Sequence, residues 1–236
     1  MKKKIILIGI IVIALLMIYT ALNTCYHADK SMESYLVSTD TVKVEKIKEG
    51  YFFDGPGKDA AFIFYPGAQV EYTAYASLLF NTAELGIDTF LIKMPLNYAF
   101  LGSNKATSII KKYNYDSFFM GGHSLGGAMA ANYTSRNKDK IKGLILLAAY
   151  STSKIPEKIP VLSIYGTNDT VLNEENYKKY LTNLKNVEEL EIEGGIHAYF
   201  GYYSKQKHDG HALITREEQQ QTTNQAIKKF INKNKK

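Results

Sequence analysis

Apolar residues along this chain recur in two rhythms. Thr41-Val42-Lys43-Val44-Glu45-Lys46-Ile47-Lys48 largely alternates with a period of two, as a half-exposed strand does, and Tyr51-Phe52-Phe53-Asp54-Gly55 reads as its partner across a turn. Ala60 to Tyr65 is a continuous apolar run, the pattern of a central parallel strand covered on both faces. A helix over Tyr72 to Leu85 and a strand over Thr89 to Lys93 follow. Phe118-Phe119-Met120 ends another short buried strand, and Ala128 to Tyr133 reads as small-residue helix. Leu144 to Ala149, Pro160 to Tyr165 and Val187 to Ile192 complete the strands. Thr215-Arg216-Glu217-Glu218 is a capping box opening the last helix, where Ala226, Ile227, Phe230 and Ile231 share one side at helical spacing. Strands alternating with helices predict an α/β fold: a mostly parallel, doubly wound sheet with helices on both faces and right-handed crossovers. Few residues separate Tyr150 from Pro160, so no separate lid domain is expected.

The first residues obey another rule. Met1-Lys2-Lys3-Lys4 precedes an apolar, charge-free run from Ile5 to about Leu22. A spanning helix needs about 20 apolar residues, with 17 sufficient, whereas the apolar core of a cleavable signal runs about 7 to 15. No small-x-small cleavage site follows. Residues 1–25 are therefore expected to be a transmembrane anchor or signal segment. The lysines stay inside, and the rest of the chain lies outside the cytoplasm on a single-pass membrane protein. A cleaved signal, or lipidation of Cys25 in a faint lipobox (Leu22-Asn23-Thr24-Cys25), would give the same sidedness. Residues 26–40 are polar and aperiodic and read as a tether. Residues 41–236 are expected to form one folded domain.

Gly121-Gly122-His123-Ser124-Leu125-Gly126-Gly127 sits where the strand ending at Met120 must become a helix. Gly122-x-Ser124-x-Gly126 in that context is a nucleophile elbow: the serine occupies a strained turn, and its neighbours must be tiny for strand and helix to approach. Gly166-Thr167-Asn168-Asp169-Thr170 and Glu193-Gly194-Gly195-Ile196-His197 each follow a predicted strand. Ser124, Asp169 and His197 thus come in the chain order of a Ser-Asp-His triad. With Tyr65-Pro66-Gly67-Ala68 after the early strand, these motifs resemble those of the α/β-hydrolase family over roughly residues 41 to 234. The stretch from His197-Ala198-Tyr199-Phe200-Gly201 to Asp209-Gly210 is similar to a small, lidless branch related to dienelactone hydrolases, with serine here in place of cysteine. The resemblance implies the α/β-hydrolase fold and acyl-transfer chemistry.

In that chemistry Ser124 attacks a carbonyl while neutral His197 takes its proton, and Asp169 orients the imidazole. The Leu125 N–H, just after the nucleophile, is one oxyanion donor. The loop after the early strand, with Pro66 where the family has histidine, offers the Ala68 N–H as the second, with Gln69 as the competitor. Asp169 could instead be a turn residue, with Glu193 as the substitute acid, and His208 or His211 could replace His197. Tyr72, Tyr75, Asn97, Tyr98, Phe100, Tyr199, Phe200 and Tyr203 are candidate walls, and His123 is expected beneath the site. No cofactor is needed and no metal is expected: His208-Asp209-Gly210-His211 supplies two histidines and one carboxylate where zinc takes three or four placed ligands. Gly55-Pro56-Gly57-Lys58 is not a phosphate loop, since Asp59 follows where Ser or Thr belongs.

Composition narrows the remaining classes. The chain has 236 residues, 45% of them hydrophobic, enough for one large core. Its +6 charge is almost wholly lysine, with Arg136 and Arg216 the arginines, and it carries no nucleic-acid module, so nucleic acid is not an expected partner. Cys25, the single cysteine, closes no disulfide within the chain. The expected protein is a membrane-anchored serine hydrolase of an ester, thioester or related acyl bond in a small or lipid-like substrate. An acyltransferase with the same triad and a silent envelope binding module are the alternatives.

Overall fold

The computed structural model describes residues 25–235 together with Ile6, Gly9 and Val12. Eight strands form one sheet in the order β1-β2-β4-β3-β5-β6-β7-β8. They are β1 Lys43–Ile47, β2 Gly50–Asp54, β3 Ala60–Tyr65, β4 Asp88–Ile92, β5 Ser117–His123, β6 Gly143–Leu147, β7 Val161–Gly166 and β8 Val187–Ile192. β1 and β2 pair antiparallel, as do β2 and β4, while every pairing from β4 to β8 is parallel. The helices are α1 Ala76–Glu84, α2 Ala106–Lys112, α3 Leu125–Arg136, α4 Glu174–Leu181 and α5 Arg216–Asn234.

The continuous apolar runs resolve into two faces. Ala60, Phe62 and Phe64 of β3 join one core cluster, and Ala61, Ile63 and Tyr65 the other. The first cluster packs under α1 and α5 through Leu78, Leu79, Ile227 and Phe230; the second packs under α2 and α3 through Ile109, Ala130, Ala131 and Tyr133. Strand alternation supplies both layers, which is why these strands show no alternation in hydropathy. The helix expected over Tyr72 to Leu85 begins as a 3-10 turn, Tyr72–Tyr75, before α1. Helices α2 and α4 are not legible in the pattern: each is short, and α4 buries only Tyr177.

The stretch 26–40, read as a tether, is folded onto the domain. Asp29 caps a 3-10 helix, Lys30–Leu36, whose Met32 is buried, and Tyr35 meets Phe80 of α1 edge-on. Single apolar anchors in a polar stretch leave no periodicity to read. Between β6 and β7, residues 148–160 carry no helix. Apart from Ile6, Gly9 and Val12, the apolar run expected to cross a membrane lies outside the described residues, and among the described residues no helix is long and apolar enough to do so.

Helix α5 carries both the predicted capping box and the predicted apolar side, with Phe230 buried edge-on against Phe119. Phe230→Ala is expected to cost about 3–5 kcal/mol and Thr215→Ala about 1 kcal/mol in urea denaturation. Equal losses would mean that the cap, and not the core contact, seats this helix.

Candidate active site

The elbow forms because two backbones nearly touch. A Cβ on Gly122 would lie 2.5 Å from the Tyr65 carbonyl oxygen, and one on Gly126 would lie 2.2 Å from that oxygen and 2.3 Å from the Pro66 carbonyl. Only glycine allows that approach. The chain turns at Ser124 with φ 52° and ψ −125°, a strained region for a side-chain-bearing residue. The Ser124 N–H donates to the Leu147 carbonyl at 2.9 Å, which fixes the turn to β6.

Parallel pairing of β7 with β8, with Gly166 opposite Ile192, sends the two following loops out side by side. His197 Nδ1 donates to Asp169 Oδ2 at 2.7 Å, and both side chains are 1% exposed. Asp169 Oδ1 accepts from the Val171 and Leu172 N–H groups, each at 2.8 Å, so the carboxylate is fixed at both oxygens. With Nδ1 held by the carboxylate, Nε2 is the ring nitrogen left for a second partner. That atom is buried with no hydrogen-bond partner among the described residues. Glu193, the competing acid, is exposed. His208 and His211 join the site only through backbone carbonyls, which accept from Thr170 Oγ1 at 2.7 Å and Asn168 Nδ2 at 2.8 Å.

Ser124 and His197 border one cleft of about 360 Å³, with Leu125, Ala128, Met129, Ala148, Ala149, Tyr150, Val171 and Leu172 among its walls. Of the expected aromatic walls, none lines it. Tyr75, Phe200 and Tyr203 are buried, and Phe100 points into solvent. The cleft's aromatic is Tyr150, stacked on Tyr180 with ring centroids 5.4 Å apart. Aromatic residues near a motif are cheap to find in sequence, but which side of the backbone they take is a tertiary matter.

The two nominated donors lie on adjoining segments, since Gly126 abuts the Pro66 carbonyl. The Leu125 N–H, at the first position of α3, and the Ala68 N–H make no hydrogen bond among the described residues. Gln69, at φ 58°, spends its N–H on the Asn97 carbonyl at 2.9 Å, which removes it as a donor. The Gly67 N–H donates to the Tyr75 hydroxyl at 3.2 Å, and that hydroxyl shares a 2.7 Å hydrogen bond with His123 Nδ1. His123 is wholly buried, with its ring 4.4 Å from that of His197; desolvation first, and that neighbour second, hold it well below the usual histidine range and therefore neutral.

Two residues that hold the histidine are not apparent from sequence. Asp209, 8% exposed, accepts from the backbone N–H of His197 at 3.2 Å, of Ala198 at 2.7 Å and of Gly210 at 2.9 Å, capping the turn His197–Phe200. Gln219 of α5 accepts from the Ile196 N–H at 3.0 Å and donates Nε2 to the Ile196 carbonyl at 2.8 Å. The available signal was the polar run Gln219-Gln220-Gln221-Thr222-Thr223-Asn224 in a helix that must still bury a face. Among the described residues, no group of three or more His, Cys, Asp or Glu side chains is placed to hold a metal ion.

A serine and a carboxylate-held imidazole on one cleft, with two backbone N–H groups on adjoining segments, are the parts that proton transfer from a hydroxyl and acyl chemistry require. A model of the alpha/beta hydrolase family matches residues 61–221. Among solved structures, the chain is similar to dienelactone hydrolase from Anabaena variabilis ATCC 29413, at 12% identity and TM-score 0.61, covering 82% of this chain and 99% of that one. It is also similar to Est1E from Butyrivibrio proteoclasticus, at 15% identity and TM-score 0.56, covering 82% of this chain and 98% of that one. Mouse alpha/beta hydrolase domain-containing protein 10 aligns at 14% identity and TM-score 0.61, covering 82% and 99%. At such identities these three share the fold. A search of curated proteins returned no match.

Removing the Asp209 carboxylate strands three backbone donors. Asp209→Ala is expected to lower stability by about 3 kcal/mol in urea denaturation, and hydrogen exchange at Ala198 should accelerate. Unchanged exchange there would show that the cap does not hold the histidine turn.

Proposed function

This chain belongs to the alpha/beta hydrolase family, and from that premise we propose that it is a serine esterase working through an acyl-enzyme. Ser124, His197 and Asp169 form the triad, and Ala68 and Leu125 supply the oxyanion donors. The carrying observation is that His197, fixed by Asp169 at 2.7 Å and with its Nε2 unpartnered among the described residues, borders the same cleft as the strained Ser124. Nε2 takes the Ser124 proton as Oγ bonds to the substrate carbonyl, and negative charge moves to the carbonyl oxygen against the two N–H groups. Collapse of the tetrahedral adduct breaks the ester C–O bond, and the imidazolium returns its proton to the departing alcohol. Water then repeats the sequence on the acyl-enzyme and releases the acid. Asp169 stabilises the imidazolium as its charge develops, and the N-terminal end of α3 adds positive potential beside Leu125.

Among the described residues the cleft walls hold no Asp, Glu, Lys or Arg and are mostly apolar, with Thr152 and Asn173 as polar members, which favours an uncharged bound group. The substrate reading is thus a neutral acyl ester, small or lipid-like. The apolar run from Ile5 to Leu22 supports an anchor in the cell membrane, with Lys2, Lys3 and Lys4 inside and the domain outside.

Ser124→Ala is expected to abolish fluorophosphonate labelling and turnover of activated esters with the melting temperature retained; full activity in that variant would defeat the triad assignment. Asp169→Asn should lower kcat by about 10²–10⁴ with KM little changed, because the carboxylate acts on charge formed in the transition state. Glu193→Gln, at an exposed position, should leave kcat unchanged. Steady-state kinetics showing the reverse pattern would move the acid to Glu193.

A further inference from the structure

The segment just after the apolar run is stitched onto the loops that follow β3, β4 and β8. The Tyr26 N–H donates to the Gln69 carbonyl at 2.7 Å, and the Tyr26 carbonyl accepts from the Glu71 N–H at 2.9 Å. Cys25 Sγ accepts from Asn97 Nδ2 at 3.0 Å, and the Asn97 carbonyl in turn holds the Gln69 N–H. Farther on, the Asp29 N–H donates to the Tyr202 carbonyl at 2.9 Å, and Tyr26 Oη accepts from the Lys207 N–H at 3.2 Å. Residues 25–29 therefore bridge the oxyanion loop and the histidine loop. Leu22 precedes Cys25 by three residues, a reach of about 10 Å at full extension. An apolar run ending there brings the bilayer surface to the Asn97 loop.

That loop is built to meet such a surface. Leu96, Phe100 and Leu101 are 39%, 53% and 48% exposed, whereas Ala99 between them is fully buried. Leu96 holds φ 49° and ψ 24°, a left-handed conformation that is strained for a leucine, and Asn97 follows at φ 58°. The strained pair keeps Leu96 outward while its neighbour's carbonyl reaches Gln69. Lys93 is exposed beside this loop, and Lys105 Nζ donates to the Lys93 carbonyl at 2.7 Å. Lys48, Lys93 and Lys105 stand together against one carboxylate, Glu49, so the cluster is positive by count; burial first, then the two neighbouring lysines, hold Lys105 below the ordinary lysine range against the opposing pull of Glu49.

We propose that the loop carrying Leu96, Phe100 and Leu101, flanked by Lys93 and Lys105, docks on an anionic bilayer and turns the oxyanion side of the cleft toward lipid. The inference rests on the anchored-esterase reading and refines its substrate to an ester presented from the membrane. Leu96, Phe100 and Leu101 enter the headgroup–acyl boundary while the lysines meet anionic headgroups. The strap 25–29 fixes the distance between that boundary and Ala68.

The chain contains no tryptophan, so a single one reports its own surroundings. Full-length Phe100→Trp, reconstituted in phosphatidylglycerol vesicles with brominated acyl chains, is expected to lose more than half its fluorescence. Full-length Lys140→Trp, at the opposite end of the sheet, should lose almost none. Adding Lys93→Gln and Lys105→Gln to Phe100→Trp should weaken the quenching, as should zwitterionic vesicles; equal quenching in all three settings overturns the role of the lysines. Phe100→Trp emission unquenched and as red as that of Lys140→Trp overturns the docking surface. A blue shift without bromine quenching assigns the patch to a second copy or another protein and overturns the bilayer as occupant. These readouts do not use activity, and sedimentation of the chain with vesicles reports the anchor separately. On an active enzyme, Phe100→Ser/Leu101→Ser should lower turnover of a vesicle-embedded ester about tenfold and leave a water-soluble ester unchanged; equal loss on both overturns membrane presentation.

Discussion

The contact on which the rest of the site depends is the approach of α3 to the carbonyl end of β3. With the Tyr65 oxygen 2.2 Å from where a Cβ of Gly126 would stand, helix and strand leave no room for a side chain at either elbow glycine. The close approach holds Ser124 at a positive φ and sets the first turn of α3 against the loop after β3, so the same constraint that strains Ser124 also brings the segments carrying Leu125 and Pro66 together. Strain of this kind persists only where surrounding structure over-determines it. Here the determinants are the Leu147 carbonyl on one side and the β3 carbonyls on the other.

Strain and buried polarity gather around the cleft. Among the described residues, the non-glycine ones at positive φ are Gln69, Leu96, Asn97, Ser124, Ala148 and His208, of which Ser124 and Ala148 line the cleft. The bracing comes from a distance: Asp209 caps the histidine turn from a later loop, Gln219 clamps Ile196 from the last helix, and Tyr75 joins Gly67 to His123 beneath the oxyanion loop. Each is a buried polar group whose partners are backbone or neutral side chains, so its cost of burial is offset by hydrogen bonds that also fix a loop. The imidazole is thereby oriented by groups that never touch it.

The elements themselves were largely legible in the chain. Strand patterns, the capping box of α5 and the glycine spacing at Ser124 are decided within windows of a few residues, and the structure carries each of them. The order of Ser124, Asp169 and His197 was equally readable, because each follows a strand and a parallel sheet delivers its strand ends to one edge. Helices α2 and α4 and the folded stretch 26–40 were not, since single buried residues such as Ile109, Tyr177 and Met32 leave no period to detect.

What tertiary structure alone decided are the choices between chemically equal candidates. Glu193 stands four positions before His197 in sequence, yet the in-register pairing of β7 and β8 places Asp169, 28 residues away, on Nδ1. Gln69 and Ala68 are adjacent N–H groups, and only the path of the Asn97 loop consumes the first and leaves the second. Aromatic residues expected in the walls turned into the core or out to solvent, because side-chain direction is set by packing and not by proximity to a motif. Local sequence fixes what a segment can become. Which of several capable groups meet is settled by register and by the loops that cross between distant parts of the chain.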